Sequence, residues 1–308
     1  MFTGFSSALN EAGMKRIYKK VTRLHRRNVL ASGGGLYYNR IEYYGRLRSE
    51  WMCVMGKIIA VANQKGGVGK TTTSVNLSAC LAEAGKRVLL VDIDPQGNAT
   101  SGLGCADAET NTVYDVLMGE CAAKDAIVQT KFGSLSVTPS GIELAGAEIE
   151  MVGIDDRETL LKRALQTVLG DYDFILIDCP PSLSLLTVNA LTAAESVLIP
   201  IQCEYYALEG VGQLVNTVKL MRKKLNPTLA IEGILLTMFD SRTNLCAQVV
   251  QEVRSHFPDE VFETMIPRNV RLSEAPSYGV PIHVYDARST GAQAYRALTR
   301  ELIKRNEG

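Results

Sequence analysis

Lys57-Ile58-Ile59-Ala60-Val61-Ala62 runs directly into Asn63-Gln64-Lys65-Gly66-Gly67-Val68-Gly69-Lys70-Thr71-Thr72, and this stretch decides the fold. The unbroken apolar run leaves no solvent face and predicts a strand buried on both sides. The glycines after it let main-chain N–H groups approach an anion, and a helix over about Thr71 to Ala84 aims its positive end at the same place. Gly85 is the expected stop. A Gly-Lys pair followed by a hydroxyl residue in this context predicts a phosphate-binding loop: Lys70 bridges the β- and γ-phosphates of a nucleotide and Thr71 holds Mg²⁺. Gly66, Gly67, Val68, Gly69 and Thr72 complete the cradle. Gln64 stands where the strict loop pattern has its first glycine, and Lys65 is an extra lysine where most such loops have none.

Two further strand ends carry acids. Val88-Leu89-Leu90-Val91 reads as a second buried strand delivering Asp92 and Asp94 to the polar turn Pro95-Gln96-Gly97. Phe174-Ile175-Leu176-Ile177 repeats the design with Asp178, and Pro180-Pro181 ends its hydrogen-bond ladder. Asp178 reads as the carboxylate that acts on Mg²⁺, directly or through its water. Taken singly, each aspartate also fits a plain turn-forming role at a strand end.

Strands expected at about 57 to 63, 88 to 94, 134 to 138, 174 to 178, 197 to 202, 231 to 237 and 261 to 266 alternate with helical stretches and no linker-like break. That is the pattern of a single α/β domain of P-loop NTPase type, a mostly parallel twisted sheet with helices on both faces. Between Ala207 and Lys224, Val211, Leu214, Val215, Val218 and Met221 fall on one helical face, and Asn226-Pro227 ends it. The nucleotide belongs at the carboxyl edge of the sheet, where the Gly66, Asp94 and Asp178 loops converge.

These residues resemble the deviant-Walker ATPases, and within them the ParA/Soj group that segregates bacterial chromosomes and plasmids. The resemblance runs from Met55 to about Glu307. It rests on the Asn63 to Thr73 loop, on Asp92 to Gly102, on Asp178-Cys179-Pro180-Pro181-Ser182, on Cys203-Glu204-Tyr205-Tyr206-Ala207-Leu208-Glu209-Gly210 and on Ile266-Pro267-Arg268-Asn269-Val270-Arg271-Leu272-Ser273-Glu274-Ala275-Pro276. It implies an ATP- and Mg²⁺-dependent homodimer in which Lys65 of each subunit crosses to the partner's phosphates, coupling association to nucleotide state. By the same resemblance Lys65, Lys70 and Asp94 are catalytic, with Asp94 orienting the attacking water and the Asp94 to Asn98 turn sensing the γ-phosphate. Pro267 and Asn269 flank the adenine, or else only shape their loop. Arg242 and Arg271, with Arg268 assisting, match positions that bind double-stranded DNA without sequence preference. A ParB-type protein is the implied partner, the nucleoid in the cytoplasm the implied location, and regulation of replication initiation a further family possibility. Weak ATP hydrolysis stimulated by DNA and partner completes the expectation.

The formal net charge of the 308 residues is zero, from 33 Lys/Arg and 33 Asp/Glu, but it is unevenly placed. Residues 1 to 55 hold ten Lys/Arg against three Asp/Glu, leaving 23 against 30 in the rest. An acidic body fits DNA binding through a local patch that dimerisation doubles, and does not fit a constitutive nucleic-acid binder. Residues 1 to 54 read as a basic extension upstream of the ATPase domain at 55 to 308: unstructured, or the product of an overlong start assignment. Ile17, Val21 and Leu24 would also permit a short basic amphipathic helix. Neither a secretory signal nor a transmembrane span is expected, so stable membrane insertion is not. The seven cysteines form no C-x-x-C pair, which points to a reducing compartment.

Two other classes share parts of the pattern. A MinD-like positioning ATPase has the same loop and acids but a membrane-binding C-terminal helix; here Tyr295, Leu298, Leu302 and Ile303 lie at helical spacing, and packing on the domain is the expected use. A protein like the nitrogenase iron protein would need cysteines such as Cys121 and Cys179 to share a cluster between subunits, in surroundings that do not match.

Overall fold

Strand β1 (Lys57–Val61) lies in the interior of the sheet, parallel to β5 (Phe174–Asp178) on one side and to β6 (Ser196–Gln202) on the other. The computed structural model describes residues 56–204 and 207–307. The 1–54 extension and its Ile17, Val21 and Leu24 stripe lie outside the described residues, as do Tyr205 and Tyr206.

Seven strands form one sheet in the order β3-β4-β2-β5-β1-β6-β7, with β2 at Val88–Asp92, β3 at Val128–Gln129, β4 at Leu135–Thr138 and β7 at Ala230–Thr237. All neighbours are parallel except the short edge pair of β3 and β4. The carboxyl ends of β1, β2, β5, β6 and β7 therefore share one edge. Side chains alternate between the two faces. Ile58, Ala60, Leu89, Val91, Ile175 and Ile177 enter one buried core, while Ile59, Val61, Leu90, Phe174 and Leu176 enter the other.

Helix α1 (Lys70–Glu83) packs in the second core with the C-terminal helix, and Gly85 follows it with φ 84° in the left-handed conformation that ends helices. Along the chain come α2 (Asn98–Gly102), α3 (Val113–Met118), α4 (Leu144–Glu150), α5 (Leu160–Gln166), α6 (Leu185–Ala193), α7 (Ala207–Lys224), α8 (Asn244–His256), α9 (Val270–Glu274), α10 (Ile282–Tyr285) and α11 (Thr290–Glu307). On α7, Val211, Leu214, Val218 and Met221 are buried as their spacing predicts. Tyr295, Leu298 and Leu302 of α11 are buried too, and the Tyr295 hydroxyl sits 3.2 Å from Thr73 Oγ1 on α1. The apolar face of the C-terminal helix is thus spent on the body of the protein, away from a membrane, and no helix among the described residues is long and apolar enough to span one.

The expected strand at 261 to 266 is not formed. Isolated parallel bridges, Ile234 with Val261 and Phe239 with Pro267, and main-chain bonds at Phe262 and Ile266 join this segment to β7 and beyond without a continuous ladder. The carboxylate of Glu301 on α11 accepts from the main-chain N–H groups of Glu263 and Thr264, at 2.8 and 2.9 Å, so these donors serve the helix and the ladder is interrupted. Phe262 meanwhile lies over Gly233 of β7, where a Cβ would come within 2.4 Å of its ring. The edge strand β3 gave no periodic signal at two residues in length. Asp94 also lies past the end of β2 rather than inside it.

Candidate nucleotide site

The loop from Asn63 to Gly69 closes over the end of β1 by a small set of specific bonds. Asn63 donates from Nδ2 to the Pro200 carbonyl at 2.8 Å and accepts from the Lys65 N–H at 3.0 Å, so one buried amide ties the loop to β6. Gly67 and Gly69 adopt φ 74° and 89°, conformations that side chains disfavour, and Gly69 delivers the chain into α1. Lys70 is buried, with Nζ donating to the Lys65 carbonyl at 3.1 Å. Burial pulls its pKa down from the usual lysine value, against the opposing pull of Asp178, Cys179 and Asp94. A desolvated ammonium directed at its own loop is prepared for a polyphosphate.

The acids differ in how they are held. Asp178 is fully buried; Oδ1 accepts from Ser74 Oγ at 2.7 Å, and Oδ2 has no hydrogen-bond partner among the described residues. Burial, followed by the neighbouring charge of Asp92, pushes its carboxyl far up, while Ser74 and Thr71 hydroxyls oppose the shift. An orphaned carboxylate oxygen beside Thr71, at the first turn of the loop helix, fits Mg²⁺ or a water of its shell, since a cation there would supply the counter-charge for a buried carboxylate. Asp92, its register neighbour on β2, has instead a structural task. Its Oδ2 accepts from both the N–H and the hydroxyl of Thr100, each at 2.8 Å, which anchors α2.

Asp94 stands just beyond that strand, almost buried. Oδ1 accepts from the Gln96 N–H at 3.0 Å, and its own carbonyl accepts from Gly97 N–H at 2.9 Å and Ser140 Oγ at 2.7 Å. Ser140 N–H also reaches Thr100 Oγ1 at 3.0 Å. The expected switch turn is therefore fastened to the chain that follows β4. Lys65 is turned away from the loop it belongs to: its ammonium forms an ion pair with Glu204, just after β6, and its side chain is 43% exposed. An extra lysine at the rim, facing outward, suits a role toward a second subunit.

Beside the loop opens a cavity of about 290 Å³. Gly69 and Thr72 line it on the phosphate side, Met238, Ile266, Pro267, Asn269 and Val270 on the other. Pro267 and Asn269 thus both face the space that opens beside the loop. Asn269 has a local duty as well, accepting from the Arg271 N–H at 2.8 Å as the cap of α9 and donating to Thr290 Oγ1 at 2.8 Å. Met238 at this rim holds φ 52°, an uncommon strain for such a residue.

Thr237, last residue of β7, escapes sequence reading. Its hydroxyl lies 2.8 Å from the Val68 carbonyl and 3.0 Å from that of Ile201, clamping the loop from the far side. A threonine in a strand carries no signal of such a task; only the sheet order brings β7 to the loop. Thr237→Val is expected to keep the fold and weaken nucleotide binding about tenfold, the worth of roughly one buried hydrogen bond. Titration with a fluorescent nucleotide checks it, and unchanged affinity would show that the clamp is dispensable.

Of the three arginines expected at DNA, Arg242 and Arg268 lie on segments joined by the Phe239–Pro267 bridge and the Arg268 N–H to Phe239 carbonyl bond of 3.0 Å, and Arg271 follows three residues on in α9. Each sits at the surface, yet two are occupied. Arg242, 85% exposed, grips Asp240 with Nε and a terminal nitrogen at 2.9 and 2.6 Å; Arg271 pairs with Glu274 at 2.8 Å and Asp286 at 3.7 Å. Exposed pairs of this kind exchange readily for other anions. Cys179 is fully buried, where its thiol is pushed well above the usual value by burial and Asp178; it does not reach a surface where subunits could share a cluster.

Fold and site define a P-loop nucleoside-triphosphate protein of the type with an added lysine ahead of the loop lysine. The family model described as AAA domain matches residues 56–231, and the sporulation initiation inhibitor protein Soj of Bacillus subtilis is 64% identical over 249 residues, 80% of this chain and 98% of that protein. The chain belongs to the Soj/ParA family of chromosome-partitioning ATPases. ParA of Caulobacter vibrioides is 52% identical over 252 residues, covering 81% of this chain and 94% of its own length. Among solved structures, cobyrinic acid a,c-diamide synthase from Mycobacterium smegmatis with bound ADP and magnesium superposes with TM-score 0.73 at 41% identity, over 82% of this chain and 96% of its own. The cell division ATPase MinD of Pyrococcus furiosus does so with TM-score 0.69 at 30% identity, over 81% and 99%.

Proposed function

We propose that this chain is an ATP-operated switch of chromosome or plasmid segregation: Mg²⁺-ATP drives homodimerisation, the dimer holds double-stranded DNA without sequence preference, and hydrolysis stimulated by DNA and a ParB-type partner releases it. The observation that carries the reading is the division of labour between two lysines. Lys70 is buried in its own loop, whereas Lys65 faces outward at the rim. A cation placed there meets a γ-phosphate only when a partner docks, so nucleotide state and association become one equilibrium. Thr71 and Asp178 hold Mg²⁺, Asp94 orients the attacking water, and Pro267 and Asn269 border the base. Regulation of replication initiation would be a further output of the same switch, and its location the nucleoid.

ATP turnover measured with DNA and the ParB-type protein, separately and together, tests this. Synergy between them is expected; its absence, with ATP still bound, would remove the segregation reading.

For DNA, the neighbourhood of Arg242, Arg268 and Arg271 supports binding through phosphates, two patches per dimer. Arg271→Glu is expected to lower DNA affinity by about tenfold or more, to flatten its salt dependence and to leave nucleotide affinity unchanged. Fluorescence anisotropy on labelled duplex across a salt series reads both effects. Parallel loss of nucleotide binding would instead mean that α9 has come apart.

A further inference from the structure

Ile142, Ala145, Ile149 and Val152 follow one another at i, i+3, i+7 and i+10, and every one is exposed. The three bulky members are 70%, 79% and 62% exposed. The opposite side of the same helical stretch, Leu144, Ala147 and Met151, is wholly buried. A helical stretch that is apolar on both sides, with its exposed apolar residues in one continuous line, marks a contact site. The stretch from Glu143 to Glu158 also carries six carboxylates, Glu143, Glu148, Glu150, Asp155, Asp156 and Glu158, against the single Arg157.

Its two ends are fastened to the nucleotide site. Ser140, immediately before it, hydrogen-bonds the Asp94 carbonyl at 2.7 Å. Glu148 Oε1 lies 3.5 Å from the Leu186 N–H, at the start of α6 just after the Asp178 loop. A ligand on this helix therefore bears on both acidic loops at once.

We infer that the exposed face of α4 is the docking surface for the protein's activating partner, through a partner helix that is apolar on one side and rich in Lys and Arg around it. The charge decides the occupant. A second copy meeting this face about a two-fold axis would set the exposed carboxylates Glu143, Glu150, Asp155 and Asp156 against their own copies, which costs association, whereas a basic helix gains from them. The apolar stripe supplies the affinity and the carboxylates the selection. The proposal rests on the reading of the chain as a partner-stimulated ATPase.

The experiment uses the full chain with a purified ParB-type protein, and follows binding and ATP turnover separately. Ile149→Glu and Val152→Glu are surface changes outside the nucleotide site; thermal melts confirm folding. Both are expected to raise the half-saturating partner concentration about tenfold or more, with ATP-dependent dimerisation and unstimulated turnover unchanged. Glu143→Lys with Asp155→Lys should weaken binding too and make what remains less sensitive to salt. Wild-type partner response in these variants overturns the surface. So does impaired dimerisation with normal partner binding, which would make the face a contact between copies. A wild type that binds the partner without stimulated turnover, together with loss of that binding in Ile149→Glu, would sink the segregation reading and keep the surface.

Discussion

Asp94→Ala is expected to trap the ATP-bound state: turnover falls by about a hundredfold or more, the scale on which a positioned group handling the attacking water contributes, while ATP binding and dimerisation persist. The geometry makes this a clean substitution. The turn around Asp94 is held by its carbonyl, which accepts from Gly97 and Ser140, and by Gly97 in the left-handed region at φ 61°. Removal of the carboxylate costs the turn one bond, that from Gln96. The dimer should therefore accumulate on DNA and fail to leave it when partner is added. Single-turnover phosphate release beside sedimentation of the ATP-bound protein reads both halves of the expectation. A variant that still hydrolyses at near wild-type rate would transfer the water-orienting role to another group.

Lys65→Ala should act at the other end of the cycle. The Lys65 side chain contributes nothing to the grip of Lys70, which bonds the main-chain carbonyl of residue 65 and would keep that bond in alanine. Nucleotide affinity of the single subunit is accordingly expected to stay within about threefold, roughly 0.65 kcal/mol. ATP-dependent dimerisation should vanish, and with it tight DNA binding. Stimulated turnover should drop by about a thousandfold or more, the worth of a cation delivered to the transferring phosphoryl group from a partner. Light scattering with and without ATP decides: undiminished dimer formation would end the idea that Lys65 works across the interface. The ion pair with Glu204 gives this prediction a second edge, because Lys65 must leave that carboxylate before it serves a partner's phosphate.

Most of the frame was legible in the chain because buried parallel strands advertise themselves. Val88-Leu89-Leu90-Val91 and Phe174-Ile175-Leu176-Ile177 have no polar position, and their acids fall at strand ends by simple counting. The helix over 207 to 224 was equally plain from its apolar spacing. The segment 261 to 266 misled for a physical reason: its residues suit a strand, but Glu301, nearly forty positions later, claims two of its N–H groups. Asp92 and Asp94 look alike on paper. One is an anchor for Thr100, the other accepts from the Gln96 N–H in the turn beyond the strand, and only their partners tell them apart.

The order of residues by itself determined a P-loop with a second lysine, two acid-tipped strands beside it and a doubly covered parallel sheet, because these follow from local chemistry and from periods of two and 3.6. Tertiary structure decided what distance along the chain conceals. It set Thr237 under Val68, left Asp178 Oδ2 without a partner among the described residues, brought Arg242 beside Arg268 and turned Ile149 outward rather than into the core. Each of these depends on which strands and helices become neighbours, and that is fixed by the packing of whole faces, to which no single stretch of sequence has access.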